Sequence, residues 1–223
     1  GAASNSGASG FRRPMARTHL WGIGIITTLY VLANLAYVHA LGLGGDDQLT
    51  VDSSNGLIAV ADGIHFDGNG SLNSLALVRT GGSAQASEIY SIGLNPGEGV
   101  IQISEGGISQ TVVFEDVLAV RDNVPAASFT VNGTSANGTI TFAGGVGGGI
   151  FTGTTGKIAV DNSDSIQFNK KASLTINGMA GSDAINLNHP SAPLGLTSIT
   201  VNGGDPSSAE GDRLHLQSAG SIL

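Results

Sequence analysis

The sequence predicts an all-β protein, a parallel β-helix or β-solenoid, entered through one N-terminal apolar helix. Three observations carry that expectation. From residue 44 onward, apolar residues recur at i and i+2 in short segments; one such segment occurs three times almost unchanged; and glycine and asparagine punctuate the intervals between segments. An antiparallel β-sandwich is the alternative, because the same alternation and the same turns also make hairpins.

Residues 1–19 form a polar leader whose only charges are Arg12, Arg13 and Arg17, with no acid before Asp46. All 17 acidic side chains lie in the remainder, so the formal net charge of −8 belongs to an acidic body behind a basic entry. Such a body repels phosphate backbones, and nucleic acid is not an expected partner. Residues 20–43 read LWGIGIITTLYVLANLAYVHALGL, without a formal charge. As a helix the run would reach about 36 Å at ~1.5 Å per residue, enough for a hydrocarbon core of ~30 Å. The preceding basic residues would keep its N-terminus cytoplasmic. Three readings are open. The run is a secretory signal, with Val38 and Ala40 as the small residues before a cleavage point and Arg12-Arg13 as a loose twin-arginine pair; or it is a membrane anchor; or it is a piece of another protein. For the third, LYVLANLAYVHAL over residues 29–41 resembles one span of the amino-acid/polyamine permease superfamily. Transport in such proteins needs many spans, and no second apolar run follows here. Export or anchoring is the expectation, with the membrane as partner if the run stays uncleaved.

The body, residues 44–223, is then a series of strands. Leu49/Val51, Ile58/Val60, Leu75/Leu77, Ile101/Ile103, Phe129/Val131 and Ile140/Phe142 each aim two apolar side chains at one face of an extended segment. Ile158/Val160, Ile166/Phe168, Leu174/Ile176, Ile185/Leu187, Ile199/Val201 and Leu214/Leu216 do the same. Thr50, Thr130, Thr141, Thr175 and Thr200 take the slot between, where a β-branched polar residue suits an exposed face. Three segments are near copies: SFTVNG at 128–133, SLTING at 173–178 and SITVNG at 198–203. Each leads through a glycine-rich turn into a second pair, at Ile140/Phe142, Ile185/Leu187 and Leu214/Leu216. The last two units lie 25 residues apart at their first strands and 29 at their second, a period that suits one coil of a solenoid, with Ser207, Ser208 and Ala209 as a small insertion. Parallel pairing with Leu174 beside Ile199 is the expected geometry. Asn-Gly pairs beginning at Asn55, Asn69, Asn132, Asn137, Asn177 and Asn202 supply the corners, since both residue types tolerate positive φ.

Some turns carry a further pattern. GLGGDDQLT at 42–50 and GMAGSDAIN at 178–186 resemble the glycine-rich nonapeptide of calcium-binding RTX repeats at all but the second position. GNGSLNSLA at 68–76 is a poorer match, with Asn73 where Asp is expected, and Gly203-Gly204-Asp205 resumes at Gly211-Asp212 after an insertion. The body as a whole looks like a segment of the very large, repeat-rich surface proteins of environmental bacteria. That resemblance implies export, a structural or adhesive role, and calcium held by Asp47, Asp183 and Asp212. Calcium takes six to eight oxygens, so turns of neighbouring coils would have to combine: Asp183 with Asp212, and Asp46/Asp47 with Asn73. The competing reading is that these residues solvate their turns and accept hydrogen bonds from local amides.

Enzymatic chemistry finds little footing. There is no cysteine, which excludes disulfides, thiol nucleophiles and cysteine zinc sites. His19, His39, His65, His189 and His215 are dispersed, and no metalloprotease, nucleophile-elbow or phosphate-loop pattern occurs. Gly144-Gly-Val-Gly-Gly-Gly149 lacks the Lys-Ser/Thr of a phosphate loop. Asn132-Gly-Thr134 and Asn137-Gly-Thr139 fit a glycosylation acceptor but belong to the repeated turn. Asp161/Asp164 and Glu115/Asp116 are the nearest acidic pairs for the enzyme alternative, a carbohydrate-active β-helix. The expectation is a non-enzymatic, exported or surface-displayed spacer, scaffold or adhesive segment, contacting polysaccharide or cell surfaces and neighbouring repeats. The chain ends at Ser221-Ile-Leu223 in mid-repeat, as a fragment of a longer protein would.

Overall fold

The computed structural model describes residues 46–69, 72–81, 86–161, 165–188, 191–205 and 210–217. The chain divides after Leu43 into two units. The expected apolar helix at residues 20–43 lies in the first and outside the described residues. Among those described, no helix is long and apolar enough to cross a membrane.

The described body is all-β, without a helix. Its strands are β1 (Gln48–Asp52), β2 (Ile64–Asp67), β3 (Ser74–Val78), β4 (Ser87–Ile92), β5 (Gly99–Glu105), β6 (Ile108–Glu115), β7 (Ala119–Asn123) and β8 (Ala126–Asn132), followed by β9 (Thr139–Gly144), β10 (Gly156–Val160), β11 (Ser165–Phe168), β12 (Lys171–Asn177), β13 (Ala184–Asn188), β14 (Ser198–Asn202) and β15 (Arg213–Gln217). They form two mixed sheets, one in the order β1-β3-β7-β11-β10-β9-β13-β15 and the other β14-β12-β8-β4-β5-β6-β2, and neither closes into a barrel. The predicted apolar pairs fall on strands, with one correction: Ile58 and Val60 lie in the loop between β1 and β2 and are exposed. Their neighbour Leu57 packs on the core, and the Ile58 N–H donates to the side-chain Oε1 of Gln110 at 2.8 Å, so the segment is tied down without a strand partner.

The three repeated segments lie side by side. β8, β12 and β14 pair in parallel with Phe129, Leu174 and Ile199 in line, then Val131, Ile176 and Val201, then Asn132, Asn177 and Asn202. Their second pairs stack likewise, Ile140 beside Ile185 beside Leu214 on β9, β13 and β15. The first two units are 45 residues apart and the last two 25, because between the first two the chain makes an antiparallel excursion through β10 and β11. The other sheet has its own excursion, β4 to β5 to β6. Each excursion contains two reversals of direction, which cancel. In consequence β1 runs the same way as β15, and β2 the same way as β14, although each pair sits at opposite ends of its sheet.

Both sheets turn apolar side chains into one shared core. Phe129 of β8 meets Phe168 of β11 across it, ring centroids 4.9 Å apart. Fully burying side chains of this size contributes about 1.5–3 kcal/mol each. Inward positions that break the apolar rule include Glu88 on β4 and Asp122 on β7, two acids that are wholly buried.

Candidate functional site

The turns that lead into β9, β13 and β15 stack as closely as the strands they precede, and their side chains join one to the next. The Gly138 N–H donates to Asp183 Oδ1 at 2.8 Å, and the Asp183 N–H donates to Asp212 Oδ1 at 2.9 Å. Beside them the Ser182 N–H donates to Asn137 Oδ1 at 2.9 Å and the Thr139 N–H to Asp161 Oδ1 at 2.6 Å. The residue entering one strand thus has its amide capped by the acid that precedes the neighbouring strand. Gly181 makes the approach possible: its φ is +115°, and a Cβ there would stand 2.8 Å from the Ala136 carbonyl carbon and the Asn137 nitrogen. At the far end of the same sheet the motif recurs once, where the Asp47 N–H donates to Asn73 Oδ1 at 2.9 Å.

A second ladder runs along the ends of the repeated strands. Asn202 Nδ2 donates to Asn177 Oδ1 at 2.9 Å, Asn177 Nδ2 to Asn132 Oδ1 at 2.8 Å, and Asn132 Nδ2 to Ser91 Oγ at 3.0 Å. Like amides stacked at one register satisfy both their donors and their acceptors, which is what asparagine at a corner gains over a plain polar residue.

A cleft of about 320 Å³ opens beside the stacked acidic turns, lined among others by Asp161, Asp183, Glu210 and Arg213. Asp183 is the most enclosed of these, 3% exposed. Burial raises its carboxyl above the ordinary aspartate range; the Gly138 amide works against that, and the charges of Asp212 and Asp161 add to it. Of the three candidate metal ligands, Asp183 and Asp212 are brought together, one accepting the other's amide. Asp47 is at the opposite end of the sheet. Among the described residues no group of three or more histidine or carboxylate side chains could hold a metal ion. The oxygens that calcium would need are partly committed: Asp183 Oδ1, Asp212 Oδ1 and Asp161 Oδ1 each accept a backbone amide. Asp164, the proposed partner of Asp161, and His189 lie outside the described residues; His65 Nε2 sits 2.8 Å from the Asp62 carbonyl oxygen.

No family model, curated protein or solved structure matches the chain. The assignment of a role therefore rests on its own residues.

The most concentrated chemistry is one that alternation alone conceals. Lys171, at the start of β12, has Nζ 2.5 Å from Glu88 Oε2, 2.6 Å from Asp122 Oδ2 and 2.7 Å from the Val124 carbonyl oxygen. Glu88 Oε2 and the Val124 carbonyl accept hydrogen bonds from the ammonium group, and Asp122 Oδ2 faces it as an ion-pair partner. All three side chains have no exposure. One cation faces two carboxylates, and the imbalance falls on Glu88: burial and the Asp122 charge push its carboxyl well above the usual range, against the pull of Lys171. For Lys171, burial would lower the pKa, but Asp122 and Glu88 outweigh it and the ammonium is held more firmly than usual. The triad ties β4 and β12 of one sheet to β7 of the other. It is a tie between sheets and, closed to solvent, has no access to a substrate. The sequence signal for it is a charged residue in an inward slot, Glu88 two before Tyr90 and Asp122 two after Val120.

Proposed function

We propose that this chain is a non-enzymatic, exported or cell-surface segment, a β-solenoid-like stack that serves as a spacer or scaffold with adhesive outer faces. The observation that carries the reading is the use made of polar side chains. Asn132, Asn177 and Asn202, and Asp183 and Asp212, join one coil to the next. Side chains committed in this way stiffen a repeat stack. The apolar, uncharged run at 20–43 behind three arginines supports export or anchoring. Expression of the full chain in a bacterium, with fractionation and protease treatment of intact cells, tests the reading. The product should be found in the envelope or the medium; a full-length, unprocessed product in the soluble cytoplasmic fraction would overturn it.

The cleft beside Asp183 supports one second reading, a carbohydrate-active site. It brings Asp161, Asp183 and Glu210 to one opening, and a carboxyl with a raised pKa is the kind that donates a proton to a glycosidic oxygen. Release of reducing ends from a panel of polysaccharides, lost in Asp183→Asn, would favour it over the scaffold.

A further inference from the structure

We infer that Lys171 and Asp122 condense inside the core into an amide, Nζ to Cγ, with Glu88 carrying a proton, so that β12 of one sheet becomes covalently joined to β7 of the other. The reaction modifies the chain itself and needs no substrate from outside. An ion pair alone would need one acid; here one cation has two, and all three side chains are without exposure. The two acids are not held alike, and the difference gives each a role. Glu88 Oε2 accepts a hydrogen bond from Nζ at 2.5 Å, the contact of a base with the proton it takes. Asp122 Oδ2 lies 2.6 Å from the same nitrogen without a hydrogen bond to it, and Cγ stands one bond behind that contact. Asp122 Oδ1 accepts the Val124 N–H at 2.9 Å, so a donor already faces the oxygen on which charge would develop in a tetrahedral intermediate. Glu88 Oε1 has no such donor. Asp122 is therefore the acyl group and Glu88 the proton carrier.

The step balances without a co-reactant. One proton passes from the ammonium to Asp122 Oδ2 across their contact, leaving an amine beside a neutral acid. The nitrogen lone pair then bonds to Cγ while the C=O pair moves onto Oδ1, held by the Val124 N–H. Glu88 takes a second proton from the nitrogen at Oε2 and gives one up to Oδ2, ending as it began. Oδ2 leaves as water when the C=O bond re-forms, and an ammonium and a carboxylate have become an amide. Position and medium both favour this. Groups fixed in contact reach effective concentrations of about 10⁵ M or more. In water the separated charges are well solvated; in this core that solvation is lost, and the amide removes both charges at once. The surroundings are apolar, with the Phe129 ring centroid 5.3 Å from Nζ. Burial also favours the protonated form of Glu88, in which an acid can hand a proton over. Chains that have not condensed keep the ion-paired triad and are the reference for the stability its charges contribute. The bond is independent of export, so its absence would leave the scaffold reading standing.

The full-length chain, purified in non-ionic detergent and held at neutral pH until its mass is constant, is denatured and weighed by mass spectrometry. It should be lighter than its sequence by one water, and a tryptic digest should contain a branched peptide joining Asp122 to Lys171. Asp62-Gly63 and Asp67-Gly68 can also lose water by local cyclisation, so the branched peptide is the deciding species, and Lys171→Arg should lack it. In Asp122→Asn the link should form with loss of ammonia in place of water, which identifies residue 122 as the acyl partner. Glu88→Gln should condense about 100-fold more slowly, the usual worth of a positioned proton carrier. The parental chain alone can refute the idea, whatever the folding of the variants: a chain with β-sheet circular dichroism that keeps its full mass would overturn it. So would a branch joining Lys171 to Glu88, a link in Asp122→Asn formed with loss of water, or condensation of Glu88→Gln at the parental rate.

Discussion

Replacing Lys171 by methionine keeps the bulk of the side chain and removes its charge and its three donors. Three oxygens then lose their cation: Glu88 Oε2, Asp122 Oδ2 and the Val124 carbonyl, now 2.5, 2.6 and 2.7 Å from the lost nitrogen. Both carboxylates have no exposure, so water cannot replace the lysine without opening the core. Removing one partner of a buried ion pair costs about 3–5 kcal/mol, a large share of the ~5–15 kcal/mol that holds a typical domain folded. Urea denaturation of the full chain, followed by far-UV circular dichroism, should show a loss of that size at neutral pH. A compensated variant, Lys171→Met with Glu88→Met and Asp122→Asn, should recover most of it, because the amide oxygen of the introduced asparagine can still accept the Val124 N–H that Asp122 Oδ1 now takes at 2.9 Å. A loss below about 1 kcal/mol in Lys171→Met, or a compensated variant less stable than the single one, would refute the view that the triad is a charge-matched tie.

Three further outcomes rest on the same structure. With its carboxyl raised by burial, Glu88 keeps a proton in the folded state that the unfolded chain releases near the ordinary ~4.3; stability should therefore fall as pH rises from there toward the folded pKa, and urea midpoints of Glu88→Gln should be flatter over that window. Ile176→Ala, at a fully buried position, should cost about 2–5 kcal/mol, while Ile199→Ala on the edge strand beside it, at 41% exposure, should cost clearly less; equal losses in chemical denaturation would contradict that difference in burial. Melting in EDTA, in millimolar calcium and in equal magnesium should coincide, since the turn acids already accept amides; a calcium-specific rise, lost in Asp183→Asn and Asp212→Asn, would restore these residues as ligands.

The repeated segments are the most legible part of the sequence. A strand whose inward slots are both apolar and whose outward slot is threonine announces its faces, and the recurrence of SxTxNG announces its neighbours. Phe129, Leu174 and Ile199 are in line as that reading requires. What alternation cannot reveal is where the ladder changes direction. β9, β10 and β11 read like the repeated strands, yet β10 runs antiparallel to both neighbours, and nothing in Ile158/Val160 distinguishes it from Ile140/Phe142. Hence alternation predicts a uniform solenoid where two mixed sheets are found. β4 and β7 are hidden for another reason: Glu88 and Asp122 occupy slots that local pattern reserves for apolar residues, and only Lys171, distant in sequence, makes them tolerable there. Among the candidate ligands, spacing puts Asp183 next to Asp212, and the two are neighbours in the fold. Spacing says nothing, however, of whether a carboxylate faces an ion or an amide.

The reach of Lys171 also sets an order of events. It lies 83 residues beyond Glu88, and its strand follows β11, which must insert against β7. Contacts of such separation form late, since the loop they close must be immobilised before they return any stabilisation. A chain emerging from the ribosome therefore presents Glu88 and Asp122 to each other long before their cation exists, and the centre of the structure has two acids to bury with no counter-charge. Premature compaction of the first half is disfavoured by its own side chains. The lysine acts as a latch, and the middle of the protein closes only after residue 171 has been made.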